Sequence, residues 1–173
     1  MKETEFNYYL MQDRGIVARG VYFDNWIFDF DSREWIKDTK CIISDALMGY
    51  DPGEPEGSPY GIGNTSEMDE IKHIDYKTAM QFISDTIVQN LIKKWKEKYT
   101  QVKAEWDMKP KWPAKQVSTS FYLYGKRYVL KPEDFGWDKT SFDEGFMESI
   151  QKELEKDLMA VGATEITSSG ELD

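Results

Sequence analysis

The segment from Asp75 to Tyr99 constrains the fold more than any other stretch of this chain. Tyr76, Ala79, Met80, Ile83, Ile87, Val88, Leu91, Ile92, Trp95 and Tyr99 recur at three- and four-residue steps, the spacing of one helix face. Asp75 is suited to cap the free N–H groups of the first turn, and no Gly or Pro interrupts the run. At 1.5 Å per residue this helix would be roughly 37 Å long, enough to cross a small domain. The steps Ile87, Leu91, Trp95 and Tyr99 are all of four residues, so each rotates the stripe by about 40°. The two halves therefore face different surfaces. The expectation is a helix wrapping across a curved sheet; the sharper alternative turns Trp95 and Tyr99 toward a partner.

Before this helix the chain reads as β. Phe6 to Met11, Gly15 to Phe23 (with Gly20 as a bulge) and Trp26 to Phe30 are expected strands, and a short fourth begins at Trp35-Ile36. Asp24-Asn25 and Asp31-Ser32-Arg33 read as turns. WIFD at Trp26 and WIKD at Trp35 echo each other, which an antiparallel meander with aromatic cross-strand pairs explains. Asp38 to Met48 is a short helix ended by Gly49. Tyr50 to Gly63 is a loop holding three of the six prolines and four glycines. Asn64 to His73 is a second short helix, with Ser66 and Asp69 as a capping box.

After it, Pro110 stops the helix near Met108, and the Trp106–Trp112 stretch reads as a linker. Val117 to Tyr124 alternates as a strand, turns at Gly125-Lys126 and returns through Arg127 to Leu130. Pro132 to Trp137 is irregular. Ser141 and Glu144 open a last helix, about Phe142 to Val161, with Gly162 at its end. Ala163 to Thr167 is a final short strand. Strands early and late, without strict βαβ alternation, imply an α+β fold. The expectation is a largely antiparallel sheet, an N-terminal aromatic meander plus the later hairpin, packed against two long helices. One domain, 1–167, and a flexible tail, 168–173, are expected.

Charge narrows the partners. The net charge is −10, which disfavours general affinity for nucleic acid or anionic membrane. One basic island stands out: eight lysines from Lys93 to Lys115 against three acids. Cys41 is the only cysteine, so no intramolecular disulfide forms and a reducing, cytoplasmic setting is expected. MKETEFNYYL carries no apolar signal core and no run reaches the length of a membrane span.

The catalytic inventory is poor. His73 is the single histidine, so any Ser-His-Asp or Cys-His arrangement would need it, and its position beside Asp75 is an ordinary surface one. Cys41 reads as a small residue facing the core. Zinc is excluded as a Cys/His site. Asp29-x-Asp31 opens like a calcium loop, but Arg33, Glu34 and Lys40 stand where that motif needs an acid, a glycine and a glutamate. Gly61-Ile62-Gly63 has one element of a phosphate loop and lacks the rest. No catalytic residue, metal or cofactor is assigned.

These observations imply a non-enzymatic acidic cytoplasmic binding protein of the inhibitor or immunity type, of bacterial or phage kind, acting on a basic surface of another protein. Its interaction candidates are Trp26, Asp29, Asp31, Trp35, Tyr50, Asp51, Glu54, Glu56 and Tyr60. Two other classes compete. One is a small-molecule or nucleotide-binding domain, even an enzyme, with a pocket between the meander and the 50–63 loop. The other is single-strand nucleic-acid binding through Lys93, Lys94, Lys96, Lys98, Trp106 and Trp112, where lysines interleave with stacking aromatics. Against it stand the acidic bulk and the ordinary preference of lysines for helix ends. The island can equally meet an acidic patch on a second copy of the chain.

Overall fold

The computed structural model describes residues 5–51, 53–55, 58, 61–107, 116–135 and 144–171. The fold is mixed α+β, and every strand pairing in it is antiparallel. The strands fall into two sheets rather than one, and the chain forms two compact units, 1–83 and 84–173. The division lies inside the long helix, where no glycine, proline or change of composition announces it. Among the described residues, no helix is long and apolar enough to cross a membrane.

The first unit is built on five strands, β1 (Asn7–Met11), β2 (Ile16–Val21), β3 (Asp24–Asp29), β4 (Glu34–Lys37) and β5 (Lys72–Ile74), in the order β4-β3-β2-β1-β5. Alternation gives the sheet two apolar faces. Tyr9, Met11, Ile16, Ala18 and Ile27 lie on one, packed with Ile43 and Ala46 of α1 (Ile42–Met48). The other face is aromatic. Phe28 pairs with Trp35 across β3 and β4, their ring centroids 5.2 Å apart, and Tyr8 meets Trp35 at 6.2 Å. Arg19 stands among these rings, its guanidinium 4.4 Å from the Phe6 centroid and 4.7 Å from that of Trp35. Stacking on two π faces suits a weakly hydrated guanidinium in a partly buried place.

The hairpin between β2 and β3 departs from expectation. Asp24 and Asn25 are not the turn; they belong to β3, pairing with Val21 and Gly20, and the two-residue turn is Tyr22-Phe23. Gly20 forms no bulge but a regular pair with Asn25. Its missing side chain makes room for the Asn25 carboxamide, because a Cβ there would sit 2.2 Å from Asn25 Oδ1. Asn25 is buried and its Nδ2 donates to Ser44 Oγ of α1 at 3.0 Å.

Helix α1 begins later than expected, at Ile42, and Asp38 Oδ2 accepts from the Ile43 N–H at 2.8 Å. Cys41 does not face the core; it is exposed, with a left-handed φ of 58°. Gly49 ends α1 in the left-handed region, as expected. Helix α2 (Thr65–Glu70) is capped by Asn64, whose Oδ1 accepts from the Ser66 N–H at 3.1 Å, not by a Ser66–Asp69 box. His73 is not on that helix. It lies in β5 opposite Tyr9, its ring against the Tyr9 ring and Nε2 3.4 Å from Asn7 Oδ1.

Helix α3 (Tyr76–Asp107) is unbroken over 32 residues. Asp75 Oδ1 accepts from the Thr78 N–H at 2.6 Å, the capping geometry expected of it. Ala79, Ile83, Ile87, Val88, Leu91, Trp95 and Tyr99 are buried, so most of the stripe read from the sequence is core, while Met80 and Ile92 are half-buried and Tyr76 is exposed.

In the second unit, β6 (Gln116–Leu123), β7 (Lys126–Leu130) and β8 (Thr164–Glu171) form a sheet in the order β7-β6-β8. The β6–β7 turn is Tyr124-Gly125, one residue earlier than expected, with both φ angles positive. Within the stretch expected to be irregular, Pro132–Phe135 form a 3-10 turn, and 136–137 lie outside the described residues. Helix α4 (Glu144–Ala160) buries Ile150, Leu154 and Leu158; the expected capping serine, Ser141, lies outside the described residues. β8 runs past the expected end of its strand, pairing Ser168 with Thr119 and Glu171 with Gln116. The small void among Trp95, Leu130, Phe135, Leu154 and Leu158, about 10 Å³, is no larger than one water and marks a filled core.

Candidate functional site

Charge is unequally divided between the units. Residues 1–83 hold 16 acidic against eight basic side chains, a net −8, whereas 84–173 hold 16 against 14, a net −2. The acidity that marks the whole chain is thus a property of the first unit.

Of the expected interaction residues, Trp26 and Trp35 lie on the aromatic face, both partly buried, and serve packing as much as display. Phe6 meets Trp26 edge-on at 5.9 Å. Asp29 and Asp31 lie where β3 turns into β4. Asp29 Oδ2 accepts from the Ser32 N–H at 2.9 Å, and hydrogen bonding from Ser32 holds its carboxyl below the ordinary aspartate range. Asp31 is exposed on the same turn.

The described residues of the 50–63 loop are held by hydrogen bonds. Asp51 N–H donates to Gly61 O at 2.9 Å and Gly63 N–H to Met48 O at 3.1 Å, closing its neck. Asp51 Oδ1 accepts from the Gly53 N–H at 2.8 Å and Glu54 Oε2 from the Ser58 hydroxyl at 3.0 Å, so two of its acids also fasten the loop. Tyr50 is exposed at its neck. Glu56 and Tyr60 lie outside the described residues. Gly61 and Gly63 serve the neck; the helix after them has only six residues.

Beside the β4 edge a shallow groove of about 300 Å³ is lined by Ile27, Ile36, Asp29, Asp38, Lys37 and Lys40, among others. Its walls mix both charges with aliphatic side chains, and no described residue of the 50–63 loop is among them. Among the described residues, no group of three or more His, Cys, Asp or Glu is placed to hold a metal ion.

The basic island is partly committed to its own unit. Lys94 Nζ and Trp95 Nε1 both donate to Asp157 Oδ2, at 3.0 and 2.9 Å, and Lys98 Nζ and Tyr99 OH both reach Glu153 Oε2. Asp157 and Glu153 are four residues apart on α4, as Lys94 and Lys98 are on α3, so two successive helical turns match. Burial raises the Asp157 carboxyl, but the Trp95 and Lys94 donors outweigh it and the group lies below the ordinary range. Trp95 and Tyr99 are therefore interior side chains, and the sharper alternative that turned them toward a partner is corrected. Lys93 and Lys96 are exposed. The Trp106 side chain and all of Trp112 lie outside the described residues.

A second polar knot ties α3 to β7. Tyr128 OH donates to Asp85 Oδ1 at 2.6 Å and lies 2.6 Å from Ser84 Oγ, while Lys126 Nζ donates to the same Asp85 oxygen at 2.6 Å. Burial, then the hydrogen bond to Asp85, pushes the Tyr128 hydroxyl well above its ordinary value. A phenol so held stays protonated and cannot act as a base; this group fastens a helix to a strand.

Sequence reading missed one exposed feature, the Tyr22-Phe23 turn, where the side chains are 95% and 97% exposed. The signal was present: two aromatics lie between two alternating strands, but the neighbouring Asp-Asn pair drew the turn assignment away. No protein-family model, curated protein or solved structure matches this chain.

Proposed function

We propose that this chain is a non-enzymatic binding protein of the inhibitor or immunity type, whose first unit presents its acidic surface to a basic surface of another protein in the cytoplasm. The observation that carries the reading is the excess of eight negative charges within 1–83, against two in 84–173. Fixed negative charge on a folded scaffold steers a basic partner and holds it in register. Asp29, Asp31 and the loop acids Asp51 and Glu54 sit on turns already fastened by local hydrogen bonds, so little order has to be gained there on binding. The polar clusters of the second unit are satisfied internally, which favours a scaffold over a reaction centre.

The test is affinity capture from the source cells followed by binding of the purified partner across a salt series. The expected partner is basic, and its affinity falls as salt rises from about 50 to about 300 mM. A neutral or acidic partner held with salt-independent affinity would contradict the reading.

A further inference from the structure

We infer that the β2–β3 turn, Tyr22-Phe23, is the anchor of that interaction: two aromatic rings that enter an apolar pocket bordered by lysines and arginines on the partner protein. This inference rests on the reading above and names the part of the first unit that makes the central contact.

Single exposed apolar residues are ordinary on any surface. Here two adjacent large rings stand 95% and 97% exposed at the end of a hairpin, more than any other large hydrophobic side chain among the described residues. The turn chemistry makes their presence costlier. Tyr22 has φ 54°, a conformation that glycine or asparagine adopts far more readily than tyrosine. Tyr124 carries the same strain in the β6–β7 turn, and what sets Tyr22-Phe23 apart is the near-complete exposure of both rings.

The backbone that carries the rings is also held at a defined place. Directly behind them Val21 pairs with Asp24, and one step further Gly20 pairs with Asn25. The buried Asn25 carboxamide fills the space over Gly20 and is tied to Ser44 of α1. The hairpin base is therefore locked to the helix beneath it, and an aromatic pair on a rigid stem loses little freedom when it is buried.

Electrostatics chooses the occupant. The flanking side chains form an ion pair, Lys37 with Asp24 at 2.8 Å, so the charge of this lysine is offset beside the turn. The unit behind it is at −8, which opposes an anionic bilayer and favours a basic protein. Aromatic anchors in a charge-complementary border are the usual centre of such an interface.

The experiment places the photo-crosslinking residue p-benzoylphenylalanine at position 23 of the full chain, with position 159 (Met159, 65% exposed) as control. After irradiation in a source-cell lysate, the adduct is identified and its attachment site mapped. The captured protein is then purified and bound to wild type and to the double variant Tyr22→Gly, Phe23→Ser. The expected result is an adduct specific to position 23, attached at an apolar residue of a basic protein. The double variant then binds at least roughly 30-fold more weakly, with an unchanged or higher melting temperature. The inference is overturned by adducts on lipid or on a second copy, by no adduct above the control, or by unchanged affinity of the double variant. A basic, salt-sensitive partner that ignores the double variant leaves the acidic-surface reading standing and removes the anchor alone. A partner that is not basic removes both.

Discussion

The indole Nε1 of Trp95 donates a hydrogen bond to Asp157 Oδ2 at 2.9 Å, and Trp95 is itself wholly buried. Sixty-two residues separate the two in sequence. That bond explains why part of the lysine-rich helix end is committed within its own unit: the carboxylate that satisfies the indole also takes Lys94, and Glu153 one turn earlier takes Lys98, while Lys93 and Lys96 stay exposed.

Replacing Asp157 tests this pairing. Asp157→Ala leaves a buried indole N–H without its acceptor, and the expected loss of stability is about 1–3 kcal/mol. Asp157→Asn keeps an acceptor oxygen and should lose less. Urea denaturation of both variants measures the difference; equal stability of Asp157→Ala and wild type would show the bond to be unimportant.

Stability should form a plateau in pH and fall at both ends. Asp157 and Asp85 have carboxyls held below the ordinary aspartate value of 3.8, each because the donors around it outweigh its burial. A depressed folded value means that their contribution is present above 3.8 and is lost as pH falls through the folded values. Tyr128 behaves oppositely, since burial and Asp85 raise its hydroxyl above the ordinary 10.0. Its contribution is present below 10.0 and is lost as pH rises toward the folded value. Urea midpoints measured from acid to alkaline pH should decline at both extremes. Stability that rises on acidification below 3.8 would be incompatible with these pairings.

Gly20→Ala should destabilise the first unit by about 1–3 kcal/mol through overpacking. The added methyl would lie 2.2 Å from Asn25 Oδ1, and Asn25 cannot retreat without giving up Ser44. In Gly20→Ala with Asn25→Ala the two losses should be less than additive, because they share one space. Strict additivity in thermal unfolding would refute the fit.

Tyr22→Gly should raise stability by about 1 kcal/mol, the cost of a left-handed backbone at a residue with a side chain. A drop on chemical denaturation would mean that the tyrosine ring contributes to the fold and is not simply on display.

What the sequence made legible was local. Most of the α3 stripe, the Asp75 cap and the ends at Gly49 and Gly162 follow from spacing and backbone chemistry, and they stand as read; Tyr76, at the start of the stripe, is exposed. What it hid was tertiary. Asp24-Asn25 reads as a turn until Ser44, 19 residues on, claims the asparagine. His73 reads as the end of a helix because its strand has three residues and pairs with β1, a partner no local pattern reveals. Trp95 is expected in the core, with an interface as the alternative, until its burial and its bond to Asp157 decide it. For the candidate surface, the acidity was visible but its concentration in 1–83 was not, since the boundary lies within an uninterrupted helix. The aromatic turn was hidden by the same asparagine.

The most direct measurement of the central claim is calorimetric titration of the captured partner into wild type and into Asp13→Asn, Asp31→Asn, Glu34→Gln, Asp69→Asn. These four exposed acids of the first unit can be neutralised without touching its core. The account predicts that the quadruple variant binds at least roughly 10-fold more weakly at low salt and that its affinity depends less steeply on salt. Equal affinities with equal salt dependence would contradict it.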